Sequence, residues 1–86
     1  MYLHIGGEYQ IPFRYIIGIF DLDEITKNTN DISIEFLANL EKYNFLDNVS
    51  EELPRSLVLT LDRAYLSPIS TVTLKYRLLN GVKNYY

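Results

Sequence analysis

The stretch Pro54–Arg77, PRSLVLTLDRAYLSPISTVTLKYR, constrains the fold more than any other part of this chain. Ser56–Leu61 is an aliphatic run of strand length, Asp62-Arg63 a polar reversal, and Ala64–Leu66 a second short strand. Ser67-Pro68 then marks entry to a helix, with Ser70 as N-cap for Thr71–Asn80 and Gly81 as the expected stop. The same region holds most of the positive charge. From Pro54 to Tyr86 there are five basic residues (Arg55, Arg63, Lys75, Arg77, Lys83) against one acid, Asp62, whereas Met1–Leu53 has three basic residues against ten acids. The net charge of −3 averages an acidic part and a basic one.

The rest of the chain extends the same pattern. Met1–Ile5 and Glu8–Ile11 flank Gly6-Gly7, a hairpin signal because glycine accepts the positive φ of tight turns. Pro12 ends the second run. Tyr15–Phe20, YIIGIF, reads as a central strand buried on both faces, with Gly18 marking a bulge or a close backbone approach. Asp21–Asn30 is polar and loop-like. Asp31 has the character of an N-cap, and Ile32, Phe36, Leu37, Leu40 and Tyr43 follow at helical spacing, so Ile32–Tyr43 is predicted to be an amphipathic helix. Asn44–Pro54 reads as a connection. The expectation is a single domain over residues 1–86 of the α+β class: a small, largely antiparallel β-sheet with two helices, in the order β-hairpin, strand, helix, β-hairpin, helix.

Size makes that domain marginal as a monomer. A chain of 86 residues buries only about 60–65% of the surface its unfolded form exposes. Cysteine is absent, which removes disulfides and thiolate metal sites, and one histidine builds no His-rich site. Self-association is the remaining support. Eight of the twelve aromatic residues are tyrosine, which brings apolar area and a hydroxyl to an interface. No signal-peptide pattern and no bilayer-length apolar run occur, so a soluble, cytoplasmic protein with no membrane partner is expected.

Candidate sites divide into those that carry chemistry and those that carry surface. His4 has no nucleophile or orienting partner in a motif, and reads as a structural or surface histidine. Asp21, Asp23 and Glu24, like Glu51-Glu52, read as solvated loop acids rather than metal ligands. Neither a G-x-S-x-G elbow, a phosphate loop nor a dinucleotide fingerprint occurs. The chain is expected to be no enzyme and to need no cofactor. Ser70 with the Thr71–Thr73 amides is a secondary anion candidate at a helix N-terminus. On the predicted last helix, Val72, Tyr76 and Leu79 share an apolar face that Leu74 and Leu78 widen, a surface broad enough for both its own sheet and another subunit. Thr73, Arg77 and Asn80 share a polar face, while Lys75 projects elsewhere. Arg14 precedes one predicted strand and Arg55 opens another: the two share an end if those strands run parallel, and lie at opposite ends if antiparallel.

The motif from Arg55 to Arg77 (basic–Ser–aliphatic run–Thr, then Tyr-Leu-Ser-Pro-Ile-Ser, then Thr-Leu-Lys-x-Arg) resembles the bacterial extracellular matrix regulatory proteins, the B-type Rem regulators of biofilm matrix genes. Met1-Tyr2-Leu3-His4-Ile5-Gly6-Gly7 and Ile16-Ile17-Gly18-Ile19-Phe20-Asp21 agree with it. The resemblance implies a small cytoplasmic oligomer acting in transcriptional regulation. A-type members look like ring-forming DNA-binding proteins, and their arginines match Arg14, Arg55 and Arg77 here. Together with Arg63 and Lys75, the other basic candidates of the C-terminal part, these give an expected phosphate-facing set of Arg14, Arg55, Arg63, Lys75 and Arg77, and the apolar helix face gives Val72, Tyr76 and Leu79 as the expected oligomer interface. One departure stands out: Glu51-Glu52-Leu53-Pro54 occupies the place of an A-type arginine pair. Two readings stay open on the sequence, a DNA-associated homo-oligomer or ring, and a protein-interaction module that co-assembles with a related regulator.

Overall fold

The computed structural model describes residues 1–27 and 31–83, with side chains described outside 26–34 and 82–83. The chain opens with an antiparallel hairpin, β1 (Tyr2–Gly6) and β2 (Tyr9–Pro12), which forms a two-stranded sheet of its own. Its turn runs through Gly6 (φ 124°) and Gly7 (φ 55°), a left-handed geometry that side chains resist. Alternation then points Leu3 and Ile5 inward and leaves Tyr2 and His4 at the surface. A single 3₁₀ turn, Phe13–Tyr15, leads into β3 (Ile16–Asp21).

β3 joins β4 (Leu46–Asn48), β5 (Ser56–Thr60) and β6 (Ala64–Ser67) in a four-stranded sheet of order β3-β5-β6-β4. β3 and β6 both run antiparallel to β5, and β4 pairs parallel with β6. The expected α+β class with largely antiparallel pairing is observed, the β4–β6 pair being the parallel one. The helices are α1 (Leu22–Lys27), α2 (Asp31–Lys42) and α3 (Thr71–Lys83).

On one face of the sheet, Val58 and Ile19 pack with Leu3, Ile5 and Ile11 of the hairpin and Leu74 of α3, with Tyr65 and Leu78 against them. Two buried hydroxyls tie these layers together. Ser67 Oγ donates to the Ile5 carbonyl, and Ser56 Oγ donates to the Ile69 carbonyl at 2.6 Å, just ahead of α3. Each hydroxyl donates to a backbone acceptor of another segment. The alternate residues of β5 and β6, Leu57, Leu59 and Ala64, point to the opposite face.

Four expectations change. Asp21–Asn30 is not all loop: Asp21 Oδ1 accepts the Asp23 amide at 2.9 Å, an N-cap that starts α1. Tyr15–Phe20 is no central strand; β3 is an edge, with β5 on one side, and only Ile19 of it is buried. A bulge between Ile16 and Gly18 turns Ile17 outward, and a Cβ at Gly18 would lie 2.8 Å from the Phe20 ring. The connection after α2 holds the short strand β4. Gly81 does not stop α3, which continues to Lys83. A Cβ there would stand 2.6 Å from Phe13 Cζ, so the glycine admits an aromatic ring against the helix. α2 runs from Asp31 to Lys42; the side chains of Asp31 and Ile32, with the expected cap, and the tail's last residues, 84–86, lie outside the described residues.

Candidate nucleic-acid and assembly surface

The surface that distinguishes this domain is a helix. Ser70 caps α3 as expected: its Oγ accepts the Thr73 amide at 3.2 Å, and its carbonyl accepts that of Leu74 at 3.0 Å. From that fixed start, Thr71, Leu74, Leu78 and Gly81 fall on the side toward the sheet and hairpin, where Thr71 and Leu74 are buried. Val72, Tyr76 and Leu79 fall on the opposite side, exposed by 77%, 68% and 65%. Leu74 and Leu78 therefore do not widen the outer stripe; they form a second, opposed one. Within residues 71–83 there are three basic residues and no acid.

α3 runs alongside β3 in the opposite sense. Its entry lies by the start of β5, where Ser56 holds Ile69, and its far end meets Phe13, just before β3. β3 and β5 being antiparallel, Arg14 and Arg55 stand at opposite ends of that ladder, about 17 Å apart or more. Arg14 is exposed, with its guanidinium 5.4 Å from the Tyr15 ring centroid. Arg55 is exposed while its backbone is held, its N–H donating to Ser67 O (2.8 Å) and its carbonyl accepting from Leu22 N (3.1 Å). Arg77 lies on a flank of α3 and donates from Nη1 to the His4 carbonyl at 3.1 Å. Lys75 is exposed two residues away, about 200° around the helix from Arg77. The His4 ring itself turns back to Gly7 O at 2.9 Å.

Arg63 is placed differently from the other four. Its Nε and Nη2 donate to the two carboxylate oxygens of Asp47, both at 2.7 Å, and Nη2 also donates to the Asn44 carbonyl at 3.0 Å. The hydrogen bonds to Asp47 are the main reason its pKa is raised. This forked pair clamps β4 and the end of α2 to the β5–β6 turn. The guanidinium that the sequence offered to phosphate is held in a partly exposed ion pair, its side chain 32% exposed. Nearby, burial is the first cause that raises the Tyr65 phenol pKa, and the charges of Asp62 and Asp47 add to it.

Sequence reasoning did not find the ground around that clamp. Asn44 takes φ 59° at the end of α2; its N–H donates to Glu41 O and the Phe45 N–H to Leu40 O, the paired hydrogen bonds of a Schellman stop. This brings Phe45 against Leu40. Together with Leu59, Leu61, Asp62 and Ala64 they line a cavity of about 210 Å³. The usable signal was Asn44-Phe45, an asparagine suited to a left-handed stop followed by an apolar residue.

The features define a small α+β domain whose distinctive surface is a basic helix with apolar residues on both faces. The chain belongs to the extracellular matrix regulatory protein family. It is 38% identical over 77 residues to the extracellular matrix regulatory protein B of Bacillus subtilis (strain 168), covering 90% of this chain and 89% of that protein. No protein-family model matches the chain. Among the described residues, no helix is long and apolar enough to cross a membrane.

Proposed function

We propose that this protein is a cytoplasmic regulator of extracellular matrix genes that works as a homo-oligomer and touches DNA through its phosphates, with no catalysis and no cofactor. The observation that carries the reading is α3: a firmly capped helix whose inner stripe is consumed by the core while an outer stripe of Val72, Tyr76 and Leu79 stays exposed, in a segment with no acid. An apolar stripe at helical spacing facing water is a surface for another protein chain. Arg14, Arg55 and Arg77 lie at the two ends and on one flank of that helix, exposed, and are the phosphate-facing residues. Arg63 leaves the set because Asp47 occupies it.

One copy offers few phosphate contacts. Assembly multiplies them, and each contact adds nearly one unit to the salt slope of binding. The test is a mobility-shift titration on duplex DNA at two salt concentrations, beside light scattering after size exclusion. The expected result is an assembled protein that shifts DNA at low salt and loses it steeply with added salt, with Arg14→Ala weakening the shift at unchanged mass. An assembled protein that leaves DNA unshifted at low salt removes the DNA part.

A second reading has its own support. Glu51 and Glu52 are exposed just ahead of Arg55 and would repel phosphate there. In that reading the protein acts by co-assembling with a related, basic regulator. Capture of that regulator after nuclease treatment, with no DNA shift, would favour it.

A further inference from the structure

We infer that the cavity between the end of α2 and the β5–β6 turn is the socket that receives the outer stripe of α3 from a second copy, so that subunits join head to tail. This rests on the reading of α3 as an assembly surface and adds what that surface binds.

The socket is preformed. The Schellman stop fixes Leu40 and Phe45, and Arg63 fastens Asp47 and the Asn44 carbonyl behind them. The opening is mostly apolar, with Phe45 and Leu61 exposed at its edge. A cavity of about 150 Å³ accepts a benzene ring, so about 210 Å³ takes the ring of Tyr76, the largest side chain of the outer stripe.

Charge selects the occupant. Two charged residues line the socket, Asp62 and Arg63. The charge of Arg63 is matched by Asp47, and Lys42 is turned over the Tyr43 ring, 5.5 Å from its centroid. The outer stripe of α3 is flanked by Lys75, on the side away from Arg77. An apolar socket edged by the carboxylate of Asp62 and an apolar stripe edged by the ammonium of Lys75 are complements carried at different places on one chain. Lys75, which shares no flank with Arg77, thereby belongs to this contact rather than to the phosphate set. Two different patches that fit each other make a heterologous contact, which closes into a ring or continues as a filament.

The test is complementation between two variants, followed by sedimentation velocity, with circular dichroism to show that both fold. Tyr76→Asp disables the stripe and leaves the socket; Leu61→Asp disables the socket and leaves the stripe. Both positions are exposed in the single chain, by 68% and 67%, so neither change disturbs the core. Each variant alone is expected to be monomeric, its assembly weakened more than about 30-fold, as for loss of an interface anchor. Mixed in equal amounts they are expected to form a heterodimer of about 20 kDa, twice 10.1 kDa, and to stop there, because one intact stripe meets one intact socket. If Leu61→Asp assembles like the unmodified protein, or if two monomeric variants fail to combine, the socket is overturned while the reading of α3 stands. If Tyr76→Asp assembles unchanged, or the unmodified protein is monomeric, both fall.

Discussion

The two faces of α3 are made of similar residues and meet opposite fates. Leu74 on the inner face is wholly buried, while Tyr76 on the outer face is 68% exposed, two positions further along the same capped helix. Leu78 packs on the core and Leu79, the next residue, does not. Hydrophobicity therefore does not separate a core stripe from a contact stripe here. What separates them is whether the rest of the chain supplies a partner. The inner stripe finds Ile5, Ile19 and Val58, all within one cluster. The outer stripe stays exposed in the single chain, and under the proposed assembly a second chain would cover it. The contrast predicts a matching split in energetics, with inner-face changes acting on folding and outer-face changes on association.

The largest effect falls on the inner face. Leu74→Ala removes a fully buried side chain at the junction of hairpin, sheet and helix, and is expected to cost about 3 kcal/mol. A thermal melt at low protein concentration should fall by more than about 12 °C. A loss under about 1 kcal/mol would mean that α3 is not held by this cluster.

Gly81→Ala comes next and tests how closely the same face is packed. A Cβ there meets Phe13 at 2.6 and 2.9 Å. Overpacking costs about 1–3 kcal/mol, and alanine returns about 1 kcal/mol of helix propensity, so a net loss of up to about 2 kcal/mol is expected by chemical denaturation. The double variant with Phe13→Leu should recover part of it. A simple gain from alanine would show that Phe13 does not seat on the helix.

That glycine also marks what the sequence conveyed and what it withheld. Signals between near neighbours were legible: the Gly6-Gly7 turn, the β5–β6 reversal, and Ser70 three residues before the amide that it caps. Gly81 follows a helical run, so locally it reads as a stop; its actual reason, the Phe13 ring, lies 68 positions away. Arg63 read as a free cation for the same reason, since Asp47 is sixteen residues upstream. β4 is three residues long and paired across the chain, too short to carry a period. Val72, Tyr76 and Leu79 could be grouped from spacing alone, yet their separation from Leu74 and Leu78 needed the direction in which the sheet lies.

Ser70→Ala probes the boundary common to both faces. It removes the acceptor for the Thr73 amide, and loss of such a cap costs about 1 kcal/mol. The cap sets the rotation of both stripes, so stability and assembly should weaken together in this variant. A change in one without the other would show that the faces are not fixed by the same helix start.

The smallest effect on folding is expected from Tyr76→Ala. Its side chain is largely solvated in the single chain, and a surface change of this kind stays within about 0.5 kcal/mol. The measurement that gives it meaning is the melting temperature across a range of protein concentrations. Binding that favours the folded state raises the melt as concentration rises. The unmodified protein should therefore melt higher when concentrated, while Tyr76→Ala should melt at one temperature throughout, and the two should coincide on dilution. Leu74→Ala offers the opposite signature, a melt lowered at every concentration. If Tyr76→Ala instead melts low even when dilute, the outer stripe supports the fold of the single chain, and the division between the two faces of α3 does not hold.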